Sequence, residues 1–177
     1  MKKRKGIMAA ACLLGLLILT ALDQWTKQLA VKYLQDQEAY PILKGIFELQ
    51  YLENRGAAFG MLQGQQTFFL LIALAVFAGV VYCLAKLPAE GKFLPARMTL
   101  TLISAGAAGN LIDRMGQHYV VDFLYFKLID FPIFNVADCY VCVGTGLLLL
   151  LILFYYRDED LECLRLHRGS GKRDITE

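Results

Sequence analysis

Charged residues are scarce in this chain of 177 residues. They make up 19% of it, whereas 57% of the residues are hydrophobic. Soluble domains are roughly 25% charged and about 45–50% apolar, so the composition argues against an ordinary soluble domain and favours a membrane protein. The formal net charge of +2 is too small to indicate a nucleic-acid-binding protein.

Histidine and the common catalytic signatures are also lacking. His118 and His167 are the only two histidines, too few for a zinc set, and no H-E-x-x-H motif or glycine-rich phosphate loop is present. A Ser–His–Asp triad is therefore not expected, nor is any metal or cofactor. Cys139 and Cys142 form a C-x-x-C pair at the head of an apolar run, which favours packing residues in a helix. A redox or metal pair is the alternative, and it would need further Cys or His partners.

Four apolar segments predict membrane-spanning helices, which need about 17–25 mostly apolar residues. They lie at about 6–22, 67–87, 98–112 and 140–156. The first is expected to continue as an amphipathic helix to Tyr33. Its start resembles a lipoprotein signal with Cys12 at the cleavage point, but the apolar run continues past that cysteine, which favours a retained span.

Lysine and arginine predict the orientation, because cytoplasmic loops carry the excess of these residues. Both termini and the 88–97 loop are expected in the cytoplasm, and segments 34–66 and 116–137 outside. The alternation in Phe47–Leu52 predicts a strand. The fold class is therefore an all-α membrane protein, with four transmembrane helices and a small extracytoplasmic β-containing segment in a domain of residues 1–157. Residues 158–177 are expected to be a charged cytoplasmic tail without a core.

Two aspartates lie beside the apolar runs at the predicted outer face. An ionised carboxylate in hydrocarbon costs at least about 2.5–3.5 kcal/mol, so Asp122 and Asp138 are candidate functional residues. Apolar neighbours should raise the pKa of Asp122, whereas a helix starting near Asn135 would favour the charged form of Asp138. Such a pair could share a proton and activate water. For Asp138 a simple helix cap is the alternative.

Two further polar clusters end the first and third spans. Asp23 and Lys27 are spaced to pair on one helix face, either as a brace under the site or as a cap at the membrane surface. Asn110, Asp113 and Arg114 share another face, and the small residues before them allow another helix to approach closely. Asp113 beside Arg114 is expected to be ionised and structural, with an ordinary salt bridge as the alternative to a ligand-binding role.

Five motifs in order resemble the signal peptidase II family of bacterial membrane aspartyl peptidases. They are Asp23-Gln-x-Thr-Lys27, Asn54-x-Gly56-Ala-Ala-Phe59, Gly109-Asn110-x-x-Asp113-Arg114, Val121-Asp122-Phe123 and Phe134-Asn135-x-Ala-Asp138. The resemblance, over roughly residues 7–156, implies a catalytic pair at Asp122 and Asp138 in a bacterial cytoplasmic membrane. It implies supporting or substrate-binding roles for the other motif residues: Asp23, Lys27, Asn54, Gly56, Phe59, Asn110, Asp113, Arg114 and Asn135.

The resemblance also implies the substrate and the inhibitor. The substrate would be a prolipoprotein that carries diacylglyceryl on its cysteine and is cut just before that residue, and the inhibitor would be the cyclic peptide globomycin. Membrane lipids are the other expected partners, nucleic acid is not expected, and the chain is expected to be a monomer. Two other functions stay open from the residues alone. One is a small transporter or proton relay, and the other is a non-enzymatic protein that presents segment 34–66 to a partner.

Overall fold

The computed structural model describes residues 2–56 and 65–164, mostly as helix with one small sheet. The long helices are α1 (Lys2–Leu34), α2 (Gln66–Lys86), α3 (Leu94–Gln117) and α4 (Val136–Leu150), and a π-helical turn Leu151–Tyr155 extends α4. The strands are β1 (Tyr40–Leu43), β2 (Phe47–Asn54) and β3 (Val120–Tyr125), and a short α5 (Asp158–Leu161) follows. Single 3₁₀ turns lie at Gly91–Phe93, Lys127–Ile129 and Glu162–Leu164.

Three of these helices are long and apolar enough to cross a membrane: α1, α2, and α4 with its extension. The prediction of long apolar helices is confirmed there, and the continuation of the first to Tyr33 is part of α1. Helix α3 measures about 36 Å at 1.5 Å per residue, but Arg97, Asp113 and Arg114 lower its apolar character. The fourth span therefore stays a prediction.

Helix α3 is the centre of the bundle and packs against the other three long helices. Small residues permit this, as the sequence predicted. A Cβ atom built on Gly106 would collide with the carbonyl oxygen of Ala137 on α4, and one on Gly109 would collide with the Asp23 carboxylate on α1. On α4, a Cβ at Gly144 would lie 2.8 Å from the side chain of Ile103. The backbone of α3 thus lies close to α1 and α4 at these glycines, just before the polar residues Asn110, Asp113 and Arg114.

The sheet combines both segments that were predicted to face outward. Its strands are antiparallel in the order β1-β2-β3, so the first two come from segment 34–66 and the third from segment 116–137. The strand prediction for Phe47–Leu52 is confirmed within β2. A turn follows this strand, in which the Asn54 side chain accepts a hydrogen bond from the Gly56 N–H at 3.0 Å.

Two apolar clusters stabilise opposite ends of the bundle. One packs the end of α1 under the sheet through Ala30, Val121 and Phe123. The other joins the start of α3 to the ends of α2 and α4. Residues 158–164 of the predicted tail pack against this second cluster, where the Tyr82 hydroxyl donates to the Leu164 carbonyl at 3.0 Å. Residues 165–177 lie outside the described part of the chain.

Candidate active site

Strand β3 buries Asp122 beside the last residue of β2. Asp122 is 1% exposed, and the valines before it and Phe123 after it are also buried. Asn54 pairs with Val120 in the ladder, so Asp122 is its diagonal neighbour on the same face of the sheet. The Asn54 side-chain amide donates to Asp122 Oδ2 at 2.8 Å.

The chain then returns to place Asn135 and Asp138 against the same strand. Phe134 bridges Leu124 through backbone hydrogen bonds in both directions, at 2.8 and 3.0 Å. This brings the N-cap of α4 next to β3, and Asn135 Nδ2 donates to Asp122 Oδ1 at 2.6 Å. Asn135 and Asp138 also form a reciprocal capping box, since each side chain accepts the backbone N–H of the other. Asn135 therefore hydrogen-bonds to both aspartates.

The two carboxylates have different surroundings. Burial, together with the negative charge of Asp138, raises the pKa of Asp122 to about 7, although the hydrogen bonds from Asn54 and Asn135 act in the opposite direction. Asp138 is half-buried at the third position of α4, where the positive end of the helix dipole stabilises a negative charge. At neutral pH a proton can therefore reside on Asp122.

A buried ion cluster lies behind this pair. Lys27 is 3% exposed, and its Nζ is 3.0 Å from carboxylate oxygens of both Asp23 and Asp113. Gln24 donates to Asp113 at 2.8 Å, and the backbone N–H of Ala137 donates to Asp23 at 2.9 Å. The predicted pairing of Asp23 with Lys27 is confirmed. The ionic partner of Asp113 is Lys27 and not the adjacent Arg114, because consecutive helix residues do not face each other.

Asn110 connects this cluster to the aspartate pair. Its side-chain oxygen accepts from Lys27 Nζ at 2.8 Å and from Asn135 at 3.1 Å. Its side-chain nitrogen donates to Asp138 Oδ1 at 2.8 Å. Because Lys27 binds the oxygen of the Asn110 side chain, the nitrogen of that amide faces Asp138.

Arg114 fastens the end of β2 to the helices instead of pairing with Asp113. Its guanidinium donates to the Gly56 carbonyl at 3.2 Å and lies 4.3 Å from the ring centre of Phe69 on α2. Nothing in the sequence marked Phe69 as a site residue, because α2 is apolar on all sides. Gln24 could have been named as a candidate site residue, since it lies within the Asp23–Lys27 motif. Phe59 lies outside the described residues.

A cleft of about 500 Å³ opens onto the aspartate pair between α2, α3 and α4. Asp122, Asp138, Asn54, Asn110 and Arg114 line its polar end. The rest of its wall is apolar and includes Ile72, Ala73, Val76, Ile103, Gly106, Val141 and Cys142. The structure thus brings every described candidate residue to one end of the bundle, next to a channel for an apolar chain.

Comparison with known proteins agrees with this geometry. A family model described as signal peptidase (SPase) II matches residues 15–154. Lipoprotein signal peptidases of Caldanaerobacter subterraneus subsp. tengcongensis and Brevibacillus brevis are 48% and 47% identical over 134 residues, 75% of this chain and 89% and 88% of those proteins. That of Streptococcus pyogenes serotype M5 is 40% identical over 160 residues, 90% of this chain and 98% of that protein.

Two solved structures of bacterial membrane enzymes, determined by the in meso method, share the fold. The first has a TM-score of 0.72 at 29% identity and covers 81% of this chain and 88% of its own. The second has a TM-score of 0.71 at 28% identity and covers 83% of this chain and 95% of its own.

Proposed function

This chain belongs to the signal peptidase II family, and from that premise we propose that Asp122 and Asp138 form its water-activating pair. The chain is a membrane hydrolase that removes signal peptides from prolipoproteins. One observation carries the residue assignment: Asn135 hydrogen-bonds to both carboxyl groups at the polar end of one cleft. Peptide hydrolysis by two carboxyl groups needs one acid and one base in contact with the same water.

In this mechanism the acid is Asp122 and the base is Asp138. The carboxylate of Asp138 takes a proton from water, whose oxygen attacks the scissile carbonyl, while the protonated Asp122 donates a hydrogen bond to the carbonyl oxygen. Collapse of the tetrahedral intermediate breaks the C–N bond, and the amine of the new N-terminal residue leaves with a proton from the pair. The proton belongs to the coupled pair, and the environment favours Asp122 as its resting place.

The surrounding polar residues act as positioning residues. Asn110 and Asn135 hold the carboxyl groups at fixed orientations. Lys27 holds Asn110, and the carboxylates of Asp23 and Asp113 hold Lys27. Gly56 and Phe69 anchor Arg114, whose charge faces the developing oxyanion from the wall of the cleft.

The cleft suits a substrate that is part peptide and part lipid. Its apolar wall runs from Ile72 and Val76 on α2 to Ile103 on α3 and Val141 on α4. We place the signal helix and the diacylglyceryl chains along this wall, with the bond before the lipidated cysteine at the aspartates. Globomycin-type cyclic peptides would occupy the same cleft, and a single copy of the chain supplies all the proposed groups.

The proposed topology follows from the distribution of positive charge. Both termini and the loop before α3 carry the clustered lysines and arginines, so we place them in the cytoplasm and the sheet outside the cytoplasmic membrane. Helix α3 would be a fourth span, shielded from lipid by the three apolar helices around it. Residues 1–157 would form the membrane peptidase domain and 158–177 a cytoplasmic extension.

The hydroxyls deeper in α3 do not favour a proton relay. Thr99, Thr101 and Ser104 are buried, and each donates to a carbonyl of its own helix, at 2.8–2.9 Å. Their protons are therefore engaged locally and do not form a chain across the bundle. The side-chain amides that link one helix to another or to the sheet lie at the aspartate end, several residues from these hydroxyls.

Substitution of each aspartate tests the pair directly. Asp122→Asn and Asp138→Asn keep the size of the side chain but remove the acid or base, so each should lower cleavage of a lipidated prolipoprotein by at least about a hundredfold. Asp130→Asn is the matched control, because this exposed aspartate lies between the two in sequence and its carboxylate accepts a hydrogen bond from the Tyr125 hydroxyl, away from the cleft lining. The purified proteins are compared by mass spectrometry of the released signal peptide.

Thermal melting of each variant separates chemistry from folding. Both carboxyl oxygens of each aspartate accept an N–H, so asparagine loses one of these hydrogen bonds and should cost about 1–3 kcal/mol of stability. The assignment requires that both cleavage-deficient variants remain folded at the assay temperature. Cleavage within tenfold of wild type by either variant would remove that residue from the pair.

A further inference from the structure

A second cleft, of about 360 Å³, separates α1 from α2. It shares no lining residue with the active-site cleft. Its walls are apolar, with Ala9, Leu13 and Leu16 on α1 and Phe77 and Val81 on α2. Neither the peptidase mechanism nor the proposed substrate path uses this space.

Two cations mark one end of this second cleft. Lys5 lies near the start of α1, and Arg97 lies one turn into α3. No aspartate or glutamate lines the cleft among the described residues. Its end therefore carries uncompensated positive charge next to an apolar channel.

Arg97 is an unusual residue at this position. It is 4% exposed, and its guanidinium donates to the carbonyls of Leu87 and Pro88 at 2.9 and 3.4 Å, which caps the end of α2. Its Nε is buried and has no hydrogen-bond partner in the described part of the chain. Arg97 thus lines the cleft with a guanidinium whose hydrogen-bonding capacity is only partly used, and such a group favours an anionic partner.

The shape and charge together select an amphiphile with an anionic head. An acyl chain fits the apolar walls, and a phosphodiester matches the two cations. A second signal peptide is disfavoured, because signal peptides begin with a positively charged region that Lys5 and Arg97 would repel. In the proposed topology this end lies at the cytoplasmic leaflet, where anionic lipids attract basic residues.

We propose that the cleft between α1 and α2 binds one anionic phospholipid of the cytoplasmic leaflet. The phosphate lies against Lys5 and Arg97, and one acyl chain lies along Leu13, Leu16 and Phe77. The lipid would fill the space on this side of α2, whose main contacts within the bundle are with α3. This site is independent of the aspartate pair, so Asp122→Asn should bind lipid as the wild type does.

Native mass spectrometry of the full chain in detergent tests this site with phosphatidylglycerol as the probe. The wild type should retain one equivalent, with an affinity at least about fivefold higher than for phosphatidylcholine. Lys5→Gln should weaken binding by about fivefold, whereas Lys3→Gln, on the same turn but outside the cleft, should change it by less than twofold. Equal affinity for the two lipids, or equal effects of the two substitutions, would overturn the proposal.

A second pair of variants blocks the channel without changing charge. Ala9 lines the cleft and Ala10 does not. Ala9→Phe should lower phosphatidylglycerol binding by at least about tenfold, and Ala10→Phe should leave it unchanged. Equal binding by the two would contradict the acyl-chain placement. Displacement of the lipid by millimolar inorganic phosphate would overturn the proposal of a phospholipid site, because the cleft would then bind a free anion. Prolipoprotein cleavage by each variant reports that the protein is folded.

Discussion

Removal of the Asn54 amide should move the alkaline limb of the pH–rate profile to higher pH. In the proposed mechanism Asp122 must carry the proton, so cleavage falls about tenfold per pH unit above its pKa of about 7. The hydrogen bond from Asn54 to Asp122 favours the ionised form and opposes the effect of burial. Without that bond the proton is held more tightly, and the pKa of Asp122 rises further.

The size of the shift follows from the strength of that bond. A hydrogen bond to a charged group contributes about 1.5–3 kcal/mol, and one pKa unit corresponds to about 1.36 kcal/mol. Asn54 is half-buried, and Asn135 still donates to Asp122 in the variant, so the hydrogen bond is taken at the lower end of this range. The pKa of Asp122 should therefore rise by about one unit. At a pH about 1.5 units above the wild-type pKa, the protonated fraction then rises from roughly 3% to roughly 24%.

The measurement is the cleavage rate of purified Asn54→Ala on lipidated prolipoprotein between pH 5.5 and about 9.5. Each profile is normalised to its own maximum, because the substitution also removes a bond that orients Asp122. Glu53→Gln is the control, since Glu53 is the strand neighbour and its carboxylate bonds to Arg55 and Tyr51, away from Asp122. A flat profile for the wild type, or an alkaline limb that moves downward in Asn54→Ala, would refute Asp122 as the acid.

Three other perturbations test the parts around the pair. Lys27→Met should destabilise the protein by about 3–5 kcal/mol in thermal or denaturant melting, because it leaves Asp23 and Asp113 as buried charges without their cation. Gly106→Ala should lower the free energy of unfolding by about 1–3 kcal/mol, because the added methyl group pushes α3 away from α4. The control is Gly116→Ala in the same helix: it faces open space, so it should leave the stability unchanged or raise it by up to about 1 kcal/mol. EDTA should leave the cleavage rate unchanged, and loss of activity that zinc or magnesium restores would contradict water activation by carboxylates alone.

Short-range patterns in the sequence predicted much of this structure. The four-residue spacing of Asp23 and Lys27 predicted their pairing, and the alternation in Phe47–Leu52 predicted a strand. The three-residue spacing of Asn135 and Asp138 marked the start of α4, where the two form the capping box. Each of these depends on local backbone geometry, which a few neighbouring residues determine.

The partners that come from distant parts of the chain could not be predicted in the same way. Lys27 and Asp113 share no local pattern, so nothing in the sequence indicated that Lys27 is the ionic partner of Asp113. Strand β3 was missed because its residues are apolar on both faces apart from Asp122, so it lacks the alternation of a half-buried strand. The resemblance to a family grouped residues that lie close together in the fold, but only the fold gives Asn110 its place between Lys27 and Asp138.

The charge balance of the site favours the proton that the proposed mechanism places on the aspartate pair near neutral pH. Four carboxylates, those of Asp23, Asp113, Asp122 and Asp138, meet two cations, Lys27 and Arg114. With all six ionised, the cluster would carry two excess negative charges beside an apolar cleft. One proton halves that excess. In the proposed mechanism it resides on Asp122, because that carboxyl group is 1% exposed and has no cation in direct contact, whereas the equally buried Asp23 binds Lys27. The buried ion cluster therefore has a second role besides holding Asn110. Because Asp23 and Asp113 bind Lys27, this cation does not contact the aspartate pair and does not directly neutralise the two carboxyl groups that share a proton in the proposed mechanism.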